Sequence, residues 1–146
     1  MRVLGIDFGS RRHGLAISDG LGLTAQPLGT LERRDETSDM QQFRALIDEH
    51  QIGRIVIGLP RNMDGSESVH FKDVEVFSEA LHEHTNVPIE MWEERLTTSE
   101  AERILLAADT SRKKRKRVID KLAAAIILQS WMDAHPAVLN EMRSAQ

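Results

Sequence analysis

The chain of 146 residues contains no cysteine, which excludes disulfides, thiolate metal sites and a cysteine nucleophile. A metal, if one is used, has to be held by oxygen or imidazole. Tyrosine is also absent and aromatics make up 4% of the residues, too few for the stacking platforms on which single strands are bound without sequence preference. The formal charge is −4, so bulk attraction does not draw polyanions to this chain, and any phosphate-binding surface must be a local patch. Long apolar runs are missing too: the longest, Leu122–Leu128, falls far short of the roughly 20 residues that span a bilayer. The N-terminus enters a strand directly, without the apolar core of a secretory signal. A cytoplasmic protein making no membrane contact is therefore expected. There is no Gly-x-Ser-x-Gly elbow, and the six histidines form no helical metal-binding pair.

What is present is an ordinary globular composition, 40% hydrophobic and 29% charged, of a length that supports one sizeable core. One domain over 1–137 is expected, with a C-terminal tail over 138–146. Strands are expected over Arg2–Phe8, His13–Asp19 and Leu23–Leu31, joined by short Gly-containing links that suit antiparallel hairpins. Pro27 cannot donate to a ladder, which marks the third strand as an edge. A helix opening at a Ser38–Gln41 capping box and running to His50 follows. The continuous apolar run Ile55–Leu59, a helix marked by Phe71, Val74, Phe77, Ser78 and Leu81, and a strand over Val87–Glu93 then alternate, which calls for parallel pairing. Helices over Thr97–Ala108 and Val118–Ala134 close the chain, with a polar, basic connection between them. The expected fold class is α/β, with a mixed sheet of five strands flanked by helices.

Asp7 stands inside the apolar strand Val3-Leu4-Gly5-Ile6-Asp7-Phe8-Gly9. A carboxylate there is costly to ionise unless a cation or hydrogen bonds compensate it, and a simple Asp-x-Gly turn is the competing explanation. Two further acids bear on the choice. Glu94 follows Glu93 at the carboxyl end of the fifth strand, where an open parallel sheet places its ligand crevice. Asp120 lies beside the apolar stripe Ile119, Leu122, Ala123, Ile126, Ile127 and Ser130 of the last helix. Carboxylates from three chain segments that meet in one crevice repel unless cations intervene, and hard ions such as Mg²⁺ or Mn²⁺ accept such ligands. Metal-assisted displacement at phosphorus is the chemistry this donor set suits. His13, near Arg11 and Arg12, is conceivable as a proton carrier, and Trp92 and Trp131 are expected in the core.

Arg112 to Arg117 are six consecutive cations just before Asp120. Lys113, Lys114, Arg115, Lys116 and Arg117, together with Arg11, Arg12 and Arg61 in loops at the same sheet edge, are the candidate nucleic-acid contacts; a solvated loop is the alternative.

The motifs Gly5-Ile6-Asp7-Phe8-Gly9-Ser10, Gly14-Leu15-Ala16-Ile17-Ser18-Asp19, Ile57 to Ser66, Glu94-Arg95-Leu96-Thr97-Thr98 and Ile119-Asp120-Lys121-Leu122-Ala123-Ala124, in this order, resemble the YqgF family, the RuvX-like pre-16S ribosomal RNA nucleases. The resemblance spans nearly the whole chain. It implies an RNase H-like fold, Asp7, Glu94 and Asp120 as catalytic metal ligands, and 5′ processing of precursor 16S ribosomal RNA as the task, with the ribosomal subunit as a further partner. Three positions depart from the pattern. Glu93 replaces a usual Asp, His13 a usual apolar residue, and Ala123 stands where the related resolvases carry a second acid. Two other functions stay open: a Holliday junction resolvase-like nuclease acting on structured DNA, and a non-catalytic ribosome- or transcription-associated binding module. An actin-like or sugar-kinase-like nucleotide fold is disfavoured, because the chain has no room for a second lobe. Oligomeric state is not legible.

Overall fold

The computed structural model describes residues 1–60, 71–94 and 112–144. Its elements are β1 (Arg2–Asp7), β2 (Arg12–Ser18), β3 (Ala25–Glu32), α1 (Glu36–His50), β4 (Ile52–Pro60), α2 (Phe71–His84), β5 (Ile89–Glu94), α3 (Arg112–Ala134) and α4 (Pro136–Ser144). The helix expected over Thr97–Ala108 lies outside the described residues. The strands form one sheet in the order β3-β2-β1-β4-β5. The first three are antiparallel neighbours, while β4 pairs parallel to β1 and β5 parallel to β4. β3 is an edge, as Pro27 requires.

Strand alternation divides the core into two layers. Leu4, Ile6 and Phe8 of β1, Leu15 and Ile17 of β2, and Ile55 and Ile57 of β4 join Met40 and Phe43 of α1 and Val74, Phe77 and Leu81 of α2. On the other face Val3, Ala16 and Val56 meet Ala124, Leu128 and Trp131 of α3, with Leu139 of α4 behind them. Two glycines set how closely α3 approaches. A Cβ at Gly5 would lie 2.8 Å from the Leu128 Cβ and 3.3 Å from the Ala124 carbonyl oxygen, and one at Gly58 would meet the Ile127 side chain at 2.4 Å. Gly5→Ala is therefore expected to push α3 off β1, destabilising the protein by about 1–3 kcal/mol; urea unfolding of the two proteins measures it, and an unchanged midpoint would show that α3 has slack.

Three local expectations are corrected. The α1 cap is Asp35, whose side chain accepts the Ser38 N–H at 2.8 Å, three residues earlier than the expected box; Asp39 instead turns back to accept the Arg34 N–H at 3.0 Å. The helix carrying Asp120 begins at Arg112 rather than Val118. Lys and Arg are good helix formers and no Gly or Pro interrupts the run, so the basic segment continues the helix instead of leading up to it. Of the stripe expected on α3, Ala123 and Ile127 are buried, but Leu122, Ile126 and Ser130 are only half-buried, and the deepest positions are Ala124, Leu128 and Trp131, because Ala124 and Leu128 fit against Gly5. Beyond His135 the chain forms α4 with Leu139 buried. No single helix among the described residues is long and apolar enough to cross a membrane.

Candidate active site

Asp7 ends the central strand, half-buried, at the carboxyl edge of the sheet. Its neighbours in register are Gly14 of β2 and Gly58 of β4, and the row continues to Thr30 of β3 and Trp92 of β5. The residue thus stands in a lane whose two flanking positions carry no side chain. By alternation it belongs to the α3 face, with Val3 and Gly5, whereas Phe8 belongs to the other.

Register and parity place the second acid. Pro60 pairs with Glu94, so position 94 lies two residues beyond the Asp7 row on the second strand over. From strand spacing and rise the two Cα atoms are about 12 Å apart. Position 94 shares the parity of Glu90 and Trp92, whose side chains reach α3: Trp131 Nε1 donates to Glu90 Oε1 at 2.6 Å and Trp92 Nε1 donates to Ser130 Oγ at 3.1 Å. Glu93 has the opposite parity.

The third acid is placed by the course of α3. Trp131 packs near Arg54 at the start of β4, and Ile127 packs against Gly58 near its end. The helix therefore runs antiparallel to β4, and position 120, seven residues before Ile127, lies roughly 10 Å further along its axis. That is the edge at which Asp7 and position 94 lie. The basic run Arg112 to Arg117 occupies the first turns of the same helix, with Lys113, Lys116 and Arg117 seven, four and three positions before Asp120. The positive end of the helix dipole coincides with these cations. Arg61 lies outside the described residues.

The turn after Asp7 is built tightly. A Cβ at Gly9 would sit 2.0 Å from the Arg12 carbonyl oxygen, a backbone clash that only glycine avoids. Arg12 reaches Glu32 across the hairpin at 3.8 Å. Arg33, which sequence reasoning missed, lies next to this turn: its Nη1 donates to the carbonyls of Gly9 at 3.1 Å and Ser10 at 3.2 Å, and its backbone N–H donates to Arg11 O at 2.9 Å. No local pattern in the sequence announces a residue whose partners lie more than 20 positions away.

His13 is not placed to carry protons. It is 1% exposed, its ring stacks on Phe77 at 4.6 Å and tilts against Phe8 at 4.9 Å, and its Nδ1 accepts the Gly9 N–H at 3.3 Å. Burial, reinforced by the Arg33 cation, pushes its pKa down to about 3, so the ring stays neutral with its proton on Nε2. A position that is apolar in the resembling family is filled here by an imidazole behaving as an apolar ring with one acceptor. Trp131 is fully buried, while Trp92 is half-buried. A cavity of about 260 Å³ opens between α1 and α2, lined by His13, Arg33, Asp35, Asp39 and Phe77 among others. It lies on the face opposite Asp7 and does not include it.

A carboxylate donor set is the kind a hard divalent cation takes. Asp7 fits that requirement as a half-buried carboxylate at the carboxyl edge of the sheet, with Ile127 of α3 filling the space over Gly58 on one side of it. Among the described residues no three metal-ligating side chains already surround a common point.

Comparisons with known proteins agree with this architecture. The thermophilic RuvC bound to a Holliday junction (T. thermophilus) superposes with a TM-score of 0.53 at 16% identity, over 92% of this chain and 95% of that one. The Fowlpox virus resolvase in its Holliday junction complex gives 0.55 at 12% identity, over 92% and 98%. These likenesses establish the RNase H-like fold. Among curated proteins, one from Geobacillus kaustophilus is 48% identical over 136 residues, covering 92% of this chain and 99% of its own, and one from Halothermothrix orenii is 46% identical over 133 residues, covering 91% and 95%. Both bear the name "Putative pre-16S rRNA nuclease". The family model for RuvX, described as Holliday junction resolvase, matches residues 1–134. With the sheet order, the motifs and these relatives in agreement, the chain belongs to the RuvX family, the YqgF family that its motifs resemble.

Proposed function

We propose that this chain is a nuclease that hydrolyses phosphodiester bonds with Mg²⁺ or Mn²⁺, and that its substrate is the 5′ region of precursor 16S ribosomal RNA, in the cytoplasm and in the setting of the small ribosomal subunit. The observation that carries the reading is the shared sheet edge: Asp7 ends the central strand between two glycines, β5 ends at position 94 with matching parity, and α3 brings position 120 to the same edge. Asp7, Glu94 and Asp120 would hold the metal. When bound, it supplies Lewis-acid polarisation of the phosphate and an activated water. The chain's own work is to hold the carboxylates on three separately anchored elements and to bind the flanking phosphates through the cationic turns of α3, Arg11 and Arg12, with Arg61 as a further candidate. Nuclease function and RNA substrate are also what the names of the 46–48% identical relatives suggest.

The decisive experiment compares cleavage of a precursor RNA fragment, single-stranded DNA and a four-way DNA junction, each with Mn²⁺, with Mg²⁺ and with chelator. Metal-dependent cutting of the RNA supports the reading; preferential cutting of the junction would replace the substrate, and no cutting of any would remove the enzyme. The junction is the second reading, favoured by the solved structures that share the fold and weakened by Ala123, where the related resolvases have an acid.

Neutralising Lys113, Lys116 and Arg117 together is expected to weaken RNA binding and to flatten its salt dependence by about two units in the log–log slope, since each phosphate contact on a single strand contributes about 0.7. Fluorescence titrations at several salt concentrations check this. An unchanged slope would make the run a bystander.

A further inference from the structure

The carbonyl groups of Gly9, Ser10 and Arg11 all have a donor on one residue, Arg33. The Arg33 guanidinium lies 4.9 Å from the Phe8 ring centroid and borders the cavity on the α1–α2 side, so it approaches the turn from the face away from Asp7. In a trans peptide the carbonyl and the following N–H point in opposite directions. Fixing the Gly9 and Ser10 carbonyls toward Arg33 therefore turns the Ser10 and Arg11 N–H groups away from it, out of the α1–α2 face. Neither N–H has an acceptor among the described residues. The Gly9 N–H, by contrast, is occupied by His13 Nδ1, which pins the start of the turn. Two adjacent N–H groups turned to the same side of a fixed turn can share one anion, as those at the first turn of a helix do, and this pair begins three residues after Asp7.

We infer that the Ser10 and Arg11 backbone N–H groups bind one phosphate of the substrate strand, and that Arg33 is the positioning residue that builds this site from behind without touching the substrate. The inference rests on the nuclease reading for the identity of the ligand, a nucleic-acid phosphate, and on the turn geometry alone for the existence of the site. Arg33 and Arg11 then have different roles that measurement separates. Arg11 is placed to neutralise phosphate charge and releases counterions, whereas Arg33 orients uncharged donors and releases none.

The test uses the full chain in chelator with a short single-stranded RNA. Nitrogen-15 spectra are expected to show the Ser10 and Arg11 amides shifting on RNA addition, and Arg33→Met is expected to abolish those shifts and raise Kd about tenfold with an unchanged salt slope. Arg11→Met is expected to lower the slope by about 0.7. Arg33→Lys, which keeps the charge but not the two-carbonyl fork, is expected to recover only part of the affinity. RNA binding with unshifted Ser10 and Arg11 amides overturns the inference, as does a reduced slope in Arg33→Met, which would make Arg33 a direct phosphate contact. Metal-dependent cleavage combined with silent amides removes this site and leaves the nuclease standing. Shifted amides in a chain that cuts no nucleic acid retain the phosphate site and remove the nuclease.

Discussion

Asp7→Asn is expected to leave a folded protein whose RNA cleavage falls by about 10³-fold or more, the several kcal/mol that a charged ligand to a Lewis-acid ion supplies. The substitution keeps shape and removes charge. It does so at a half-buried position on the central strand, flanked by Gly14 and Gly58, where no neighbouring strand residue can offer a replacement carboxylate. Folding should be spared, because the hydrophobic layers on the two faces depend on Leu4, Ile6 and Val3 rather than on Asp7. Stability is the control: relief of repulsion among carboxylates is expected to leave the thermal midpoint equal or higher. Cleavage of a precursor RNA fragment, manganese binding by calorimetry and thermal unfolding are measured on the same preparation. Retained turnover would remove Asp7 from the chemistry, and loss of turnover together with a collapsed midpoint would assign it a structural role.

Acidification from pH 7 to pH 5 is expected to cost about 2 kcal/mol of stability through His13 alone. Its pKa is about 3 in the fold against 6.5 for an ordinary histidine, so between those values the unfolded chain binds the proton and the folded chain does not. Stability is then fully present above pH 6.5 and lost as pH falls toward 3, at about 1.4 kcal/mol per unit within that window. The cause is desolvation among Phe8, Phe43 and Phe77, with Arg33 adding to it. Carboxylates shape the lower part of any acid profile too, so the informative quantity is the difference between the wild-type and His13→Leu proteins. Urea unfolding between pH 7 and pH 5 should show the variant losing less stability by that amount, offset at all pH values by about 1 kcal/mol for the Gly9 N–H left without its acceptor. Parallel curves would show that the ring is solvated on this timescale.

Much of the sheet is legible because its signals are local. Pro27 declares an edge, short Gly-containing links declare hairpins, and the apolar run around Ile57 declares a strand covered on both faces. Asp7 stands out for the same reason, a charge in an apolar run. What is not legible depends on distant partners. Arg33 acquires its role from carbonyls in the β1–β2 turn, and His13 becomes a core residue only because α1 and α2 supply Phe43 and Phe77. The stripe of α3 is misread in part because Leu122 and Ile126 look more apolar than Ala124, whereas the close approach at Gly5 selects the smaller side chain. The early start of α3 is missed because charge density suggests a loop, although the propensity of Lys and Arg favours a helix. Glu93 and Glu94 are adjacent in sequence and of opposite parity by strand alternation alone, but which parity belongs to the α3 face is set by Glu90 and Trp92 reaching that helix.

α3 has 23 residues, about 34 Å of helix, and its C-terminal half is fastened to the sheet by named contacts. Near its C-terminal end Trp131 is held by Glu90, which Arg54 grips at 2.9 Å, and Gln129 Oε1 accepts the Ala25 N–H at 2.8 Å. Toward its N-terminus, Arg112 lies some 22 Å along the axis from Ile127, while β4 ends two residues after Gly58. Among the described side chains the helix is a rod rooted in the sheet at its C-terminal end, with position 120 and then the cationic run further along the same axis. A load on that rod is passed to an indole and a guanidinium at the far end of the sheet, so in the proposed nuclease the alignment of the three acids depends in part on residues that never meet the substrate.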